Sequence, residues 1–139
     1  MSHSALLTPL FVQLILTAVI YFWLGYQRIG SKIKGTVVLP KARHLPATYP
    51  PKAQQAADNL RNQFEMPVLF YVTTIIAILT GLNSAIFLAA AWTFVICRIG
   101  HALIHLSYNK VPHRFYIWCI GLLAWFVMLV TLVSHYFQQ

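Results

Sequence analysis

The chain has 139 residues, of which 59% are hydrophobic and only 9% charged, with ten Lys and Arg against two acids and a formal charge of +8. Soluble domains carry about 25% charged residues, so this composition excludes an ordinary soluble domain. Long uncharged blocks point to lipid, and the basic residues then read as membrane topology signals and not as a nucleic-acid footprint.

In chain order, the first block is Ala5 to Tyr26. It carries no charge and is long enough to span a bilayer. No Lys or Arg precedes it, so a cleaved signal peptide fits poorly and a retained helix is expected over residues 4–27. Then comes "RIGSKIKGTVVLPKARHLPATYPP", with four prolines and two glycines. It cannot be one helix and is expected as an irregular excursion. A second helix is expected over 53–81, with a wet first part, "KAQQAADNLRNQFEM", and a kink at Pro67. Met66 to Cys97 is free of formal charge for 32 residues. As one helix it would extend about 48 Å, against a hydrocarbon core of about 30 Å. The turn signal "GLNS" at Gly81 to Ser84 divides it, so a third helix is expected over 84–108. A fourth is expected over 114–137, after the turn "NKVPH". The whole, residues 1–139, reads as one all-α integral membrane domain, a four-helix bundle.

The basic residues set the expected topology. Arg28, Lys32, Lys34, Lys41, Arg43, Lys52 and Arg61 lie between the first two spans or at that edge. Lys110 and Arg114 lie between the last two. Four spans put both basic loops on one side. The positive-inside rule makes that side cytoplasmic, with both termini away from the cytoplasm; if the chain is bacterial, the membrane expected is the plasma (inner) membrane.

Polar residues collect at that basic end. Glu65 and Arg98 lie at similar depth on the two arms of the central hairpin, and each is the other's expected counter-ion. Intramembrane ionisable residues are functional candidates by default. Arg98, His101 and His105 share one helical face at i, i+3 and i+7, as Asn62 and Glu65 do at i, i+3. Arg114 opens the last helix and Arg28 closes the first. A mouth with several cations and one or two acids suits a small anionic ligand, and adjacent cations would acidify a thiol brought there. His101 and His105 also stand at i, i+4, as in helical zinc sites. No third ligand is obvious, since His44 and His113 fall in loops, and no metal is expected. Cys97 and Cys119 suggest neither a zinc site nor a disulfide framework and read as small core residues. The aromatics near the helix ends read as interfacial belts.

These pieces resemble the MAPEG family, the membrane-associated proteins in eicosanoid and glutathione metabolism. The resemblance rests on "RNQFEMP" at Arg61 to Pro67, "RIGHALIH" at Arg98 to His105, and Arg114 after a proline-containing turn. It implies a homotrimer of four-helix bundles with glutathione held between subunits, and thiol attack on a lipophilic electrophile or peroxide. It carries Asn62, Glu65, Arg98 and His101, with Arg28 more loosely, onto glutathione-binding positions. Arg114 is carried onto the position of a thiolate stabiliser, beside which His105 is available as a hydrogen-bond or proton donor. Two positions depart from the family: His105 replaces a common Tyr, and Asp58 replaces a common Arg. The function expected is a glutathione-dependent transferase or peroxidase whose partners are the bilayer, further copies of itself and a lipophilic small molecule. The alternative is a non-catalytic protein of the same fold, an accessory subunit or an anionic-lipid binder.

Overall fold

The computed structural model describes residues 4–39 and 47–138, so Lys41, Arg43 and His44 lie outside the described residues. Within these residues the chain forms five helices: α1 (Ser4–Ile33), α2 (Pro51–Gln63), α3 (Met66–Leu79), α4 (Ala85–Leu106) and α5 (Val111–Tyr136). By length and composition, four helical spans can cross a membrane, with α2 and α3 together making one of them.

The boundaries depart from the sequence expectations where local chemistry competes. Helix α1 continues to Ile33, beyond the expected end at residue 27. No proline interrupts Arg28 to Leu39, and the helix ends only at Gly35, whose φ of +63° suits a residue without Cβ. The Thr36 N–H then donates back to the Ser31 carbonyl at 3.1 Å, closing the end in a glycine-capped turn. Beyond it, Val38 and Thr48 exchange backbone hydrogen bonds of 3.0 and 2.9 Å, which pins the base of the first loop.

The second expected helix is not kinked but broken. Helix α2 ends at Gln63, α3 begins at Met66, and Glu65 stands between them at φ −102° and ψ −105°. Pro67 explains the break. It lacks the N–H that would reach the Gln63 carbonyl, and its ring crowds that carbonyl. The proline that was expected to kink the helix instead opens the first turn of a new one, where a missing N–H costs nothing. The same holds for Pro112. It sits in the first turn of α5, which therefore starts at Val111, three residues before the expected start. The connection before it is tightened by Asn109, at φ +51°, whose N–H donates to the Ile104 carbonyl at 2.9 Å. Gly81, at φ +69°, ends the central hairpin's first arm. Ser84 then caps α4 by accepting from the Phe87 N–H at 3.3 Å.

Helix α4 is the axis of the bundle. Its buried residues run Phe87, Ala90, Ala91, Phe94, Val95, Arg98, His101, Ala102 and His105, a continuous inward stripe at helical spacing. Phe94 stacks on Phe70 of α3 with ring centroids 4.7 Å apart, and Met128 of α5 completes this centre. Small residues bring α4 and α5 together. A Cβ on Gly121 would stand 3.4 Å from Cys97 Cβ, and one on Gly100 would stand 3.5 Å from Ile117 Cδ1. Two hydrogen bonds tie α3 to its neighbours: Trp125 Nε1 donates to Thr73 Oγ1 at 3.1 Å, and Tyr71 and Thr17 share a bond of 3.1 Å. The outer faces remain apolar, with Phe11, Ile15, Val72, Leu79, Leu123 and Val130 exposed, as lipid or a neighbouring copy requires.

Candidate functional site

Helix α2 carries little apolar surface outward and is held at its back by amides. Gln13 Nε2 of α1 donates to Gln63 Oε1 at 3.0 Å, and Gln63 Nε2 donates to Asn59 Oδ1 at 3.3 Å. Asn59 Nδ2 then donates to the Ala102 carbonyl of α4 at 3.2 Å. All three side chains are buried. Amides buried away from water need such partners, so the ladder fixes both the rotation and the depth of α2. Sequence reasoning passed over these residues, although Asn59 and Gln63 stand at i, i+4, and Gln13 is the only amide side chain in the first apolar block.

The break after Gln63 frees backbone carbonyls inside the bundle, and Arg98 meets one of them. Its Nη2 donates to the Asn62 carbonyl at 2.9 Å. The expected Glu65–Arg98 ion pair is therefore not formed. Glu65 is exposed at the break, and among the described residues the ion pair is Arg61 to Asp58, at 3.9 Å. The reason is the break itself. It turns Glu65 out of the helical register that would have aimed it at α4, and it offers Arg98 a carbonyl in its place. His101 lies one turn further along α4, with its ring edge-on to His105 and centroids 5.8 Å apart. Arg98 and His101 are both buried and stand behind the site, and Arg98 supports α2 through that bond.

In front of them lies a cavity of about 590 Å³ between α2 and the α4–α5 connection. Helix α2 contributes Gln54, Asp58, Arg61 and Asn62 at helical spacing, and Glu65 follows at the break. His105, Asn109 and Arg114 close the other side. Of the seven residues expected at the site, four converge here: Asn62, Glu65, His105 and Arg114, and Asp58, the departure from the family, joins them. Gln54 and Asn109 were not foreseen, because nothing in their local sequence marks them apart from ordinary helix-surface and turn residues.

Several polar atoms at this site are buried without a hydrogen-bond partner: His105 Nδ1, Asn109 Oδ1 and Arg114 Nε, with His101 Nδ1 and Arg98 Nε behind them. Buried polar groups are nearly always paired, so such a concentration marks a place built for a ligand's atoms or for ordered water. The charge differs from the cationic mouth expected from the sequence. Both acids of the whole chain, Asp58 and Glu65, line this one cavity, with Arg61 beside Asp58 on α2 and Arg114 across from them. The wall is charge-balanced.

Arg28 is not brought to this cavity. It lines a separate space of about 710 Å³ between α1 and α2, with Tyr21, Phe22, Leu60 and Phe64, and its guanidinium lies 5.1 Å from the centre of the Tyr49 ring. Arg61 borders both spaces. The level of Arg28 along the bundle was legible from the sequence, but the side of α2 on which it falls depends on helix rotation and was not.

No curated protein and no solved structure gives a significant match to the chain. One family model does match, in keeping with the four membrane-length spans. It covers residues 6–134, and the chain belongs to the MAPEG family.

Proposed function

We propose that this chain is a membrane-embedded transferase or peroxidase that holds a thiol of the glutathione type in the 590 Å³ cavity and directs its sulfur at a lipophilic electrophile. The observation that carries this reading is the meeting of Asn62, Glu65, His105 and Arg114 around one polar cavity, with His105 Nδ1 and Arg114 Nε buried and unpartnered. Free thiols titrate near about 8.5, so only a few per cent are thiolate at neutral pH. The Arg114 guanidinium, on the first turn of α5, favours the anion by its charge, and the aligned amides of that turn add to it. The thiolate then attacks the electrophilic carbon. A C–S bond forms, and the leaving group departs with the bonding electrons and is protonated, with His105 in position to deliver that proton. With a peroxide the sulfur attacks one oxygen, the O–O bond breaks to release an alcohol, and a second thiol reduces the resulting sulfenic acid to a disulfide and water. The electrophile comes from the bilayer along the apolar flank of α5, where Phe115 is exposed beside Arg114.

Further copies of the chain belong to this reading. Within one chain Arg28 opens onto the other side of α2, so it reaches the bound thiol only from a neighbouring subunit, as in a homotrimer. The topology belongs to it as well. The cavity faces the cytoplasm and both termini face away, and terminal reporters are expected to register no cytoplasmic exposure. Cytoplasmic signals at either terminus contradict that orientation.

The purified protein in detergent is expected to conjugate glutathione to a generic aryl halide, with loss of conjugation in Arg114→Ala. A second reading is supported by the space beside Arg28. Its walls are apolar and aromatic with two arginines at the border, which fits the head group and upper chain of an anionic lipid. A protein that conjugates nothing but retains anionic lipid through purification follows that non-catalytic reading.

A further inference from the structure

We infer that Asp58 sets which thiol this cavity accepts, favouring a ligand with an ammonium group and at most one carboxylate over glutathione itself. The inference rests on the thiol reading above and deepens it. A chain of formal charge +8 places both of its acids on the wall of a single cavity. The two are not equivalent. Glu65 sits in the helix break, whereas Asp58 is on the regular part of α2, one turn before Asn62.

The Asp58 carboxylate is held in place but only half used. Gln54 Nε2 donates to its Oδ1 at 3.1 Å, and Arg61 Nη1 approaches the same Oδ1 at 3.9 Å. Oδ2 has no partner among the described residues. The Arg61 side chain is 75% exposed, so this pair is long, hydrated and weak and leaves the negative charge largely in force. Gln54 fixes the carboxylate's direction through an i, i+4 contact that needs no ligand to form.

A second, independent feature points to a ligand in the same space. His105 is 3% exposed and lines the cavity, yet its Nδ1 has no hydrogen-bond partner. Asn109 Oδ1 on the same side is a buried acceptor that is also unpaired. The cavity thus offers free acceptors at Asp58 Oδ2 and Asn109 Oδ1, and a free donor at Arg114 Nε. A zwitterion satisfies both kinds. Glutathione carries two carboxylates and one ammonium, hence one net negative charge. Arg114 can serve one carboxylate. The other then lies toward α2, where the Asp58 charge repels it and the hydrated Arg61 is already turned to Asp58. A thiol with that carboxylate amidated, or replaced by an amine, removes the repulsion and supplies an N–H donor to Asp58 Oδ2.

The test is calorimetric binding to the full-length protein at low salt. The probes are glutathione, its glycine-carboxylate amide and its glutamyl-carboxylate amide; the proteins are wild type and Asp58→Asn. One of the amides is expected to bind wild type about fivefold tighter than glutathione, the scale of one partly exposed charge contact. In Asp58→Asn, which keeps the oxygen that Gln54 uses, glutathione is expected to gain affinity and the preference to disappear. A gain in binding cannot come from a damaged fold. If glutathione binds wild type as tightly as both amides, or if Asp58→Asn leaves the ratio unchanged, Asp58 does not select the ligand and the thiol reading stands without it. If no probe binds wild type, the thiol reading of the cavity falls and the selectivity falls with it.

Discussion

Replacing Arg98 with methionine is expected to destabilise the protein in detergent by about 2–3 kcal/mol, the scale of a buried hydrogen bond to a charged group together with the acceptor it leaves bare. Arg98 Nη2 is the donor that meets the Asn62 carbonyl freed at the helix break, at 2.9 Å, and Arg98 itself is 3% exposed. Glu65→Gln is expected to change stability little, because Glu65 is exposed and its carboxylate is not paired with Arg98. The two substitutions together separate the geometry described here from a buried Glu65–Arg98 pair, in which removing either partner would cost about 3–5 kcal/mol. Thermal unfolding of the three proteins in one detergent is the measurement. Equal losses for both variants would restore the ion pair and refute the carbonyl contact.

Arg114→Ala is expected to lower conjugation by about tenfold or more at neutral pH. A nearby cation shifts a thiol pKa by about one unit or more, and below the pKa each unit is tenfold in thiolate. The direction with pH follows. If Arg114 lowers the thiol pKa, wild type loses its advantage as pH rises through about 8.5, where a free thiol ionises unaided. The ratio of wild-type to Arg114→Ala rates should therefore be large near neutrality and shrink in alkali. A ratio that does not change with pH would mean that Arg114 binds the ligand without acting on its sulfur.

Much of the fold is legible in the sequence because lipid imposes simple rules. Charge-free blocks of bilayer length mark the spans, and "GLNS" divides a run too long for one of them. What the sequence concealed is mostly proline chemistry. Pro67 reads equally as a kink inside a helix or as the first turn of a new one. The choice depends on whether another helix can satisfy the carbonyls that a break sets free, and Arg98 does so from 36 residues away. Pro112 has the same ambiguity. Within the site, residue types and depth were readable for Asn62, Glu65, His105 and Arg114. Rotation about each helix axis was not, and it is rotation that turns Arg28 to the other side of α2 and gathers both acids on one wall. The ladder from Gln13 through Gln63 to Asn59 sets that rotation. It consists of ordinary amides whose pairing across three helices has no local signature.

The central claim is that the cavity beside Arg114 binds a thiol and ionises it. The most direct measurement is the ultraviolet thiolate absorbance of glutathione added to wild type and to Arg114→Ala, scanned against pH in the same detergent. The account predicts excess thiolate in wild type at neutral pH, with a midpoint at least about one unit below that of the free thiol. It also predicts that this excess is lost in Arg114→Ala. No excess over free glutathione in wild type, or an equal excess in both proteins, would contradict it.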